Sequence, residues 1–252
     1  MPDPASEFAS SSIQSPTMSN QPVAIVTAAS KGIGAACARR LAEDGFRVAL
    51  MSRSPAIKDI ADELGGLAIE GDMMKADDIE RFIAATVDHY GRLDVAALSA
   101  GHLPRGPLLD LTDEDWRNGL DMVLLSVMRI ARAAVPAMRA CGAEGSIVCI
   151  SGAAAREVMD DFPISTVLRS GLTALVRMAA RQWAPDIRVN SVLPGFVDSY
   201  DVSSEILATI PAGKVATTRQ IADIVAYLCS RASSYVTGES ICADGGMTTA
   251  IR

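Results

Sequence analysis

Two glycines and a few cations carry most of the chemistry that this sequence offers. Gly32 and Gly34 close the segment Thr27-Ala-Ala-Ser-Lys-Gly-Ile-Gly34, which joins a short β-rich run to the helical pattern Ala35–Leu41. At a strand-to-helix turn, residues without a Cβ let bare backbone approach a pyrophosphate, and the positive N-terminal end of the helix faces the anion. Thr27, Ser30, Lys31, Gly32, Ile33 and Gly34 are therefore read as a dinucleotide phosphate loop. Ala28 departs from the glycine with which such loops commonly begin.

The end of the second β-rich run selects the nucleotide. A preference for NAD(H) usually shows there as a carboxylate that accepts from the adenosine ribose hydroxyls. Here Ser52 is followed by Arg53, and Lys31 stands beside Gly32. Two cations and no carboxylate suit a 2′-phosphate, so NADP(H) is expected over NAD(H).

Further along, His102 follows Ser99-Ala-Gly101 at the carboxyl end of the fourth run, the edge where open α/β sheets place ligands. Its ordinary pKa suits proton transfer. Arg105, in the same loop, is a candidate for an anionic substrate group. Arg156, Glu157, Asp160 and Asp161 form a charge run after the fifth strand, where a solvated face competes with a direct role.

These residues need elements to hold them. Strands are expected at Val23–Thr27, Arg47–Ser52, Leu67–Gly71, Val95–Ser99, Ser146–Ser151, Arg188–Leu193 and Ser240–Ala243. Helical patterns lie between them, for example Ile33–Asp44, Asp77–Tyr90, Glu114–Arg139, Thr166–Trp183 and Arg219–Ser230. Short, continuously apolar strands alternating with helices predict a single α/β domain, a Rossmann-type doubly wound parallel sheet of seven strands. The long irregular stretch Phe196–Gly213 falls where such an enzyme carries a substrate lid. Residues 1–17 are rich in Ser, Ala and Pro, without the basic and apolar regions of a signal peptide. They are expected to be a disordered leader or cloning scar, with the domain running over 18–252.

Composition excludes other classes. Of 252 residues, 49% are hydrophobic, and 30 acidic against 23 basic residues leave a net charge of -7. That balance argues against nucleic acid and anionic membranes as partners. The cysteines Cys37, Cys141, Cys149, Cys229 and Cys242 show no CxxC spacing, and there are only two histidines. No metal site is expected, and buried free thiols in a reducing cytoplasm fit the pattern.

Taken together, these motifs resemble the short-chain dehydrogenase/reductase family over Gln21 to Ile251. Asp72-Met73, Ser99-Ala-Gly101, Asn190-Ser-Val-Leu-Pro-Gly195 and Gly238-Glu-Ser-Ile-Cys-Ala-Asp-Gly-Gly246 carry the resemblance further. It implies that Asp72, Met73, Ser99, Ala100, Gly101, Pro194, Gly195, Val197 and Arg169 join the cofactor site. It also implies assembly into a homotetramer or homodimer through the helices around Glu114–Arg139 and Thr166–Trp183, with Ala131, Ala133, Ala134, Ala174, Ala179 and Ala180 as small packing residues.

Family members usually work with Asn, Ser, Tyr and Lys. The corresponding positions here are Val123, Gly152 (with Ser151 one residue earlier), Ser165 and Arg169. None of Tyr90, Tyr200, Tyr227 and Tyr235 has a lysine four residues later, so no register restores the motif. Arg169, Ser165, His102 and Ser151 are the candidate catalytic residues. The expected function is an NADP(H)-binding oxidoreductase of a divergent ketoacyl-reductase-like branch, acting slowly on a small carbonyl or alcohol substrate. The alternative is a non-redox protein of the same fold: a nucleotide-binding scaffold or sensor, or a lyase or isomerase.

Overall fold

The computed structural model describes residues 21–250, apart from 143 and 200. The expected leader lies outside the described residues. Seven strands form one sheet: β1 (Val23–Thr27), β2 (Arg47–Ser52), β3 (Leu67–Glu70), β4 (Val95–Leu98), β5 (Gly145–Ile150), β6 (Ile187–Pro194) and β7 (Ser240–Ala243). Their spatial order is β3-β2-β1-β4-β5-β6-β7, with every neighbour parallel. All residues of β1 and β5 are buried, as a sheet covered on both faces requires.

The side-chain alternation of the strands feeds two cores. Ile25, Ala96 and Ile147 point to one face, under α3 (Ala76–Tyr90), α5 (Ser126–Ala140) and α6 (Pro163–Trp183). Val26, Ala97 and Val148 point to the other, under α1 (Gly32–Glu43), α2 (Ile57–Leu64) and α8 (Thr218–Cys229). Strand order reverses at β1, between β2 and β4, and the crevice that this creates at the carboxyl edge is where a doubly wound sheet receives its ligand.

Three elements differ from the sequence reading. The stretch read as one helix over Glu114–Arg139 is broken into α4 (Asp113–Leu120), a π-turn over Asp121–Leu125, and α5. The Ser126 N–H reaches back to the Asp121 carbonyl, and the Ser126 hydroxyl takes the Met122 carbonyl at 2.6 Å. The short helix α2 has no counterpart among the helices read from the sequence, because only Ile57 and Ala61 of it are buried. The stretch Phe196–Gly213 is not wholly irregular: it holds α7 (Ser204–Ala208), capped by the Ser203 hydroxyl.

The alanines expected between subunits divide differently. Ala131, Ala134, Ala179 and Ala180 are buried in this chain's own core, whereas Ala133 is half-buried and Ala174 exposed. The outer stripe of α6 is instead Val167, Ala174 and Met178. All five cysteines are free, and burial pushes the Cys149 and Cys229 thiols up to about 12, which keeps them unreactive. Among the described residues no helix is long and apolar enough to cross a membrane.

Ala28 holds φ at 50°, the left-handed region that glycine fills without penalty. A non-glycine residue there costs roughly 1–2 kcal/mol, partly offset by the extra freedom glycine has when unfolded. Ala28→Gly is expected to raise the melting temperature by roughly 2–3 °C in a chain of this size, read by calorimetry.

Candidate active site

A cleft of about 630 Å³ opens at the carboxyl edge of the sheet, and every residue expected to form the site lines it except Thr27. The Thr27 side chain is buried and donates to the Ser99 carbonyl at 2.7 Å, so it ties the ends of β1 and β4 together rather than facing a ligand.

The start of α1 fits a pyrophosphate. Lys31 caps that helix with backbone only, and no side chain satisfies the first N–H groups. Gly32, Ile33 and Gly34, which carry those groups, line the cleft. Gly32 sits at φ 58°, and a Cβ on Gly34 would meet the Ala28 carbonyl oxygen at 2.3 Å. The cradle therefore exists only with hydrogen at that position. Gly195 has a similar role after β6, because a Cβ there would lie 2.9 Å from the Asp244 Cα.

Beside the cradle, the Ser52 hydroxyl donates to the Ser30 hydroxyl at 2.9 Å and accepts from the Ser54 N–H at 3.2 Å. Arg53 and Lys31 are exposed on either side of this pair. The carboxylate ion pairs of the described residues involve neither of them. Asp72 is engaged locally, accepting from the Met74 N–H at 2.9 Å.

The other end of the cleft lies against β4, β5 and α6. Arg169 Nε donates to Ser165 Oγ at 3.0 Å, across one turn of α6. No carboxylate of the described residues pairs with this half-buried guanidinium, and burial lowers its pKa to about 10, still cationic at neutral pH. Ser151, at the tip of β5, is buried, and its hydroxyl has no hydrogen-bond partner among the described residues. Gly152 is extended, and a Cβ on it would sit 3.4 Å from Arg169 Cδ, an ordinary contact. Val123 is buried inside the π-turn, and its neighbour Met122 lines the cleft.

His102 opens the loop after β4. Partial burial lowers its pKa, and Lys31, Arg169 and Arg105 lower it further, so it is mainly neutral at pH 7. Arg105 lies 4.6 Å over the ring of Phe162, and the Gly106 N–H donates to the Asp161 carbonyl at 3.2 Å. These contacts fasten the loop after β4 to the start of α6. Sequence reasoning missed Phe162, Met122, Met159 and Met247, which also line the cleft. Only Phe162 carried a signal, as the residue before a proline that starts a helix.

The charge run after β5 does other work. Arg156 donates to the Ser240 carbonyl at 2.7 Å, and Glu157 accepts from the Thr249 N–H at 2.9 Å. None of Arg156, Glu157, Asp160 and Asp161 lines the cleft.

Known proteins agree with this architecture. The family model described as enoyl-(acyl carrier protein) reductase matches residues 27–248. The human "Dehydrogenase/reductase SDR family member 4" is 34% identical over 241 residues, which cover 89% of this chain and 86% of that one. A cis-4-hydroxycyclohexanecarboxylate dehydrogenase of Sinomonas cyclohexanicum is 32% identical over 240 residues, covering 90% and 96%. A variant of the actinorhodin polyketide ketoreductase, solved with NADPH, superposes with a TM-score of 0.85 at 28% identity, covering 91% and 98%. The fold is the single doubly wound domain of these oxidoreductases. The chain belongs to the short-chain dehydrogenase/reductase family, whose members bind NAD(P)(H).

Proposed function

We propose that this protein is an NADP(H)-binding oxidoreductase of small carbonyl or alcohol compounds that works without the tyrosine–lysine pair of its family. One observation carries the reading: Lys31 and Arg53, neither ion-paired among the described residues, follow the bonded Ser30 and Ser52 beside an uncapped helix start, with no carboxylate at the tip of β2. That arrangement suits a 2′-phosphate and offers the ribose diol of NAD(H) no acceptor. The cofactor, when bound, supplies or takes the hydride.

The chain's own residues then position and polarise. Arg169 presents a fixed positive charge to the nicotinamide end and to a developing oxyanion. The unpartnered Ser151 hydroxyl offers a donor at the same floor. Ser165 cannot replace a phenol as acid, since an aliphatic hydroxyl gives up its proton far less readily, even with Arg169 donating to its oxygen. Loss of a positioned general acid costs roughly 10²–10⁴ in rate, while proximity alone supplies comparable or larger factors. Turnover is therefore slow rather than absent. His102, held neutral at pH 7, gains acid character only as pH falls below its lowered pKa.

The test is a fluorescence titration with NADPH and with NADH, followed by a carbonyl panel read by the absorbance of the reduced nicotinamide. Tighter NADPH binding with slow turnover is expected. Equal or tighter NADH binding overturns the cofactor reading. NADPH binding without any turnover favours the second reading, a scaffold, sensor, lyase or isomerase, which the absence of a tyrosine at position 165 supports.

Assembly follows the outer stripe of α6. Val167 and Met178 are 55% and 58% exposed on a helix that otherwise packs well, which leaves an apolar face for a second subunit. Light scattering at micromolar concentration is expected to give a dimer or tetramer, and Val167→Glu with Met178→Glu to lower it. A monomeric wild type removes the idea.

A further inference from the structure

The cleft is positive in an acidic protein. Four fixed cations line it, Lys31, Arg53, Arg105 and Arg169, against two carboxylates, Asp72 and Asp201, while the whole chain carries -7. The cations fall into two groups. Arg53 follows the tip of β2, whereas Arg169 packs against Gly152 beyond the tip of β5. Three strand spacings separate those tips in the sheet, about 14 Å. Lys31 and Arg53, with the start of α1, account for the phosphates of one dinucleotide. Arg105 is then in surplus, and it lines the cleft together with Arg169, which serves the nicotinamide end.

We infer that the substrate is a small organic carboxylate, its anionic group held by Arg105 at the mouth and its reacting oxygen drawn by Arg169 and Ser151 at the floor. This rests on the reading of the cleft as a nicotinamide-dependent site. Arg105 is held in place by the Phe162 ring and by the Gly106–Asp161 bond, contacts that leave its N–H donors unspent. Its planar fork matches a carboxylate, and carboxylate–guanidinium hydrogen bonds are short and charge-assisted. The floor adds a guanidinium whose one hydrogen-bond partner among the described residues is Ser165, and a buried hydroxyl with none among them. Met122, Met159, Phe162 and Met247 line the same cleft with apolar side chains, which suits a carbon body better than a second phosphate. Burial and then the charges of Lys31, Arg169 and Arg105 lower the pKa of His102, in keeping with these cations sharing one cleft.

The experiment compares matched ligands on the full chain by calorimetry, both free and saturated with NADP⁺. The probes are acetoacetate, benzoate and cyclohexanecarboxylate against their neutral primary amides, with inorganic phosphate as a further arm. At least one carboxylate is expected to bind ten times or more tightly than its amide in the NADP⁺-saturated protein, the worth of one charge-assisted hydrogen bond. Arg105→Gln should cut that ratio to below threefold without moving NADPH affinity, and Arg53→Ala should do the reverse. Amides binding as well as carboxylates, no carboxylate binding below 10 mM (roughly −3 kcal/mol by the affinity relation), or a preference that survives Arg105→Gln overturns the inference. Inorganic phosphate outcompeting every carboxylate at the NADP⁺-saturated site also overturns it. The NADPH titration reads the cofactor end separately: if NADPH fails to bind, the functional reading falls, and a surviving carboxylate preference would mark an anion site of another kind.

Discussion

Arg53→Asp is expected to weaken NADPH binding about a hundredfold while leaving NADH binding within threefold of wild type. The argument starts from the tip of β2, where Ser52 spends its hydroxyl on Ser30 and on the Ser54 N–H. What remains to meet the adenosine ribose is the exposed guanidinium of Arg53 and the exposed ammonium of Lys31. A dianionic 2′-phosphate gains charge-assisted hydrogen bonds from both, and each such bond contributes roughly 1.5–3 kcal/mol. Replacing Arg53 by a carboxylate removes one of them and sets a repelling charge in its place. NADH has no phosphate to lose, and the new carboxylate can accept from its ribose hydroxyls, so its affinity holds or rises. Because both cations are exposed, the NADPH preference of the wild type should shrink as salt is raised from 50 to 500 mM (a span over which the screening length falls from roughly 14 to 4 Å). Fluorescence titrations of both nucleotides on both proteins decide it. An unchanged NADPH affinity in Arg53→Asp would mean that the phosphate, if bound, is held elsewhere.

The sheet and the phosphate loop were legible because their signals are local. Continuous burial along a strand such as Val23–Thr27 needs an unbroken apolar run, and Gly34 admits no other residue because a Cβ there would meet the Ala28 carbonyl oxygen at 2.3 Å. The substrate end was less legible, because it is made by contacts between loops far apart in sequence. Nothing near Arg105 announces that it stacks on Phe162, or that Gly106 bonds across to Asp161. The alanines show another limit. Helical spacing puts Ala131 and Ala134 of α5, and Ala179 and Ala180 of α6, on apolar faces but does not say whether this chain's core or a second subunit covers them, and the core does. The charge run Arg156–Asp161 shows a third. Its side chains look free in sequence, yet Arg156 and Glu157 are taken up by the backbone of β7 and of the C-terminal segment.

Arg169→Ala is expected to lower NADPH affinity, or whatever turnover is measured, at least tenfold, whereas Ser165→Ala changes either by less than threefold. Arg169 is half-buried at the cleft floor and, among the described residues, hydrogen-bonds only Ser165, so its charge is screened less than that of the exposed residues. Its pKa, lowered by burial to about 10, leaves it charged through the neutral range, so the effect should be flat between pH 6 and 9 (at least about 90% charged at the upper limit). Ser165 contributes an acceptor to Arg169 Nε, and a ligand oxygen or water can take that place once the hydroxyl is gone. The family's usual groups can also be restored together. Gly152→Ser meets Arg169 Cδ at an ordinary distance, and Ser165→Tyr directs its ring into the cleft that Ser165 already lines. With Arg169→Lys in the same chain, the phenol regains an ammonium one helical turn away, and carbonyl reduction should rise by the roughly 10²–10⁴ that a positioned acid contributes. The single variants carry the decision. If Ser165→Ala destroys activity while Arg169→Ala leaves both turnover and NADPH affinity intact, the roles are inverted, and the serine hydroxyl, not the guanidinium, is what the reaction uses.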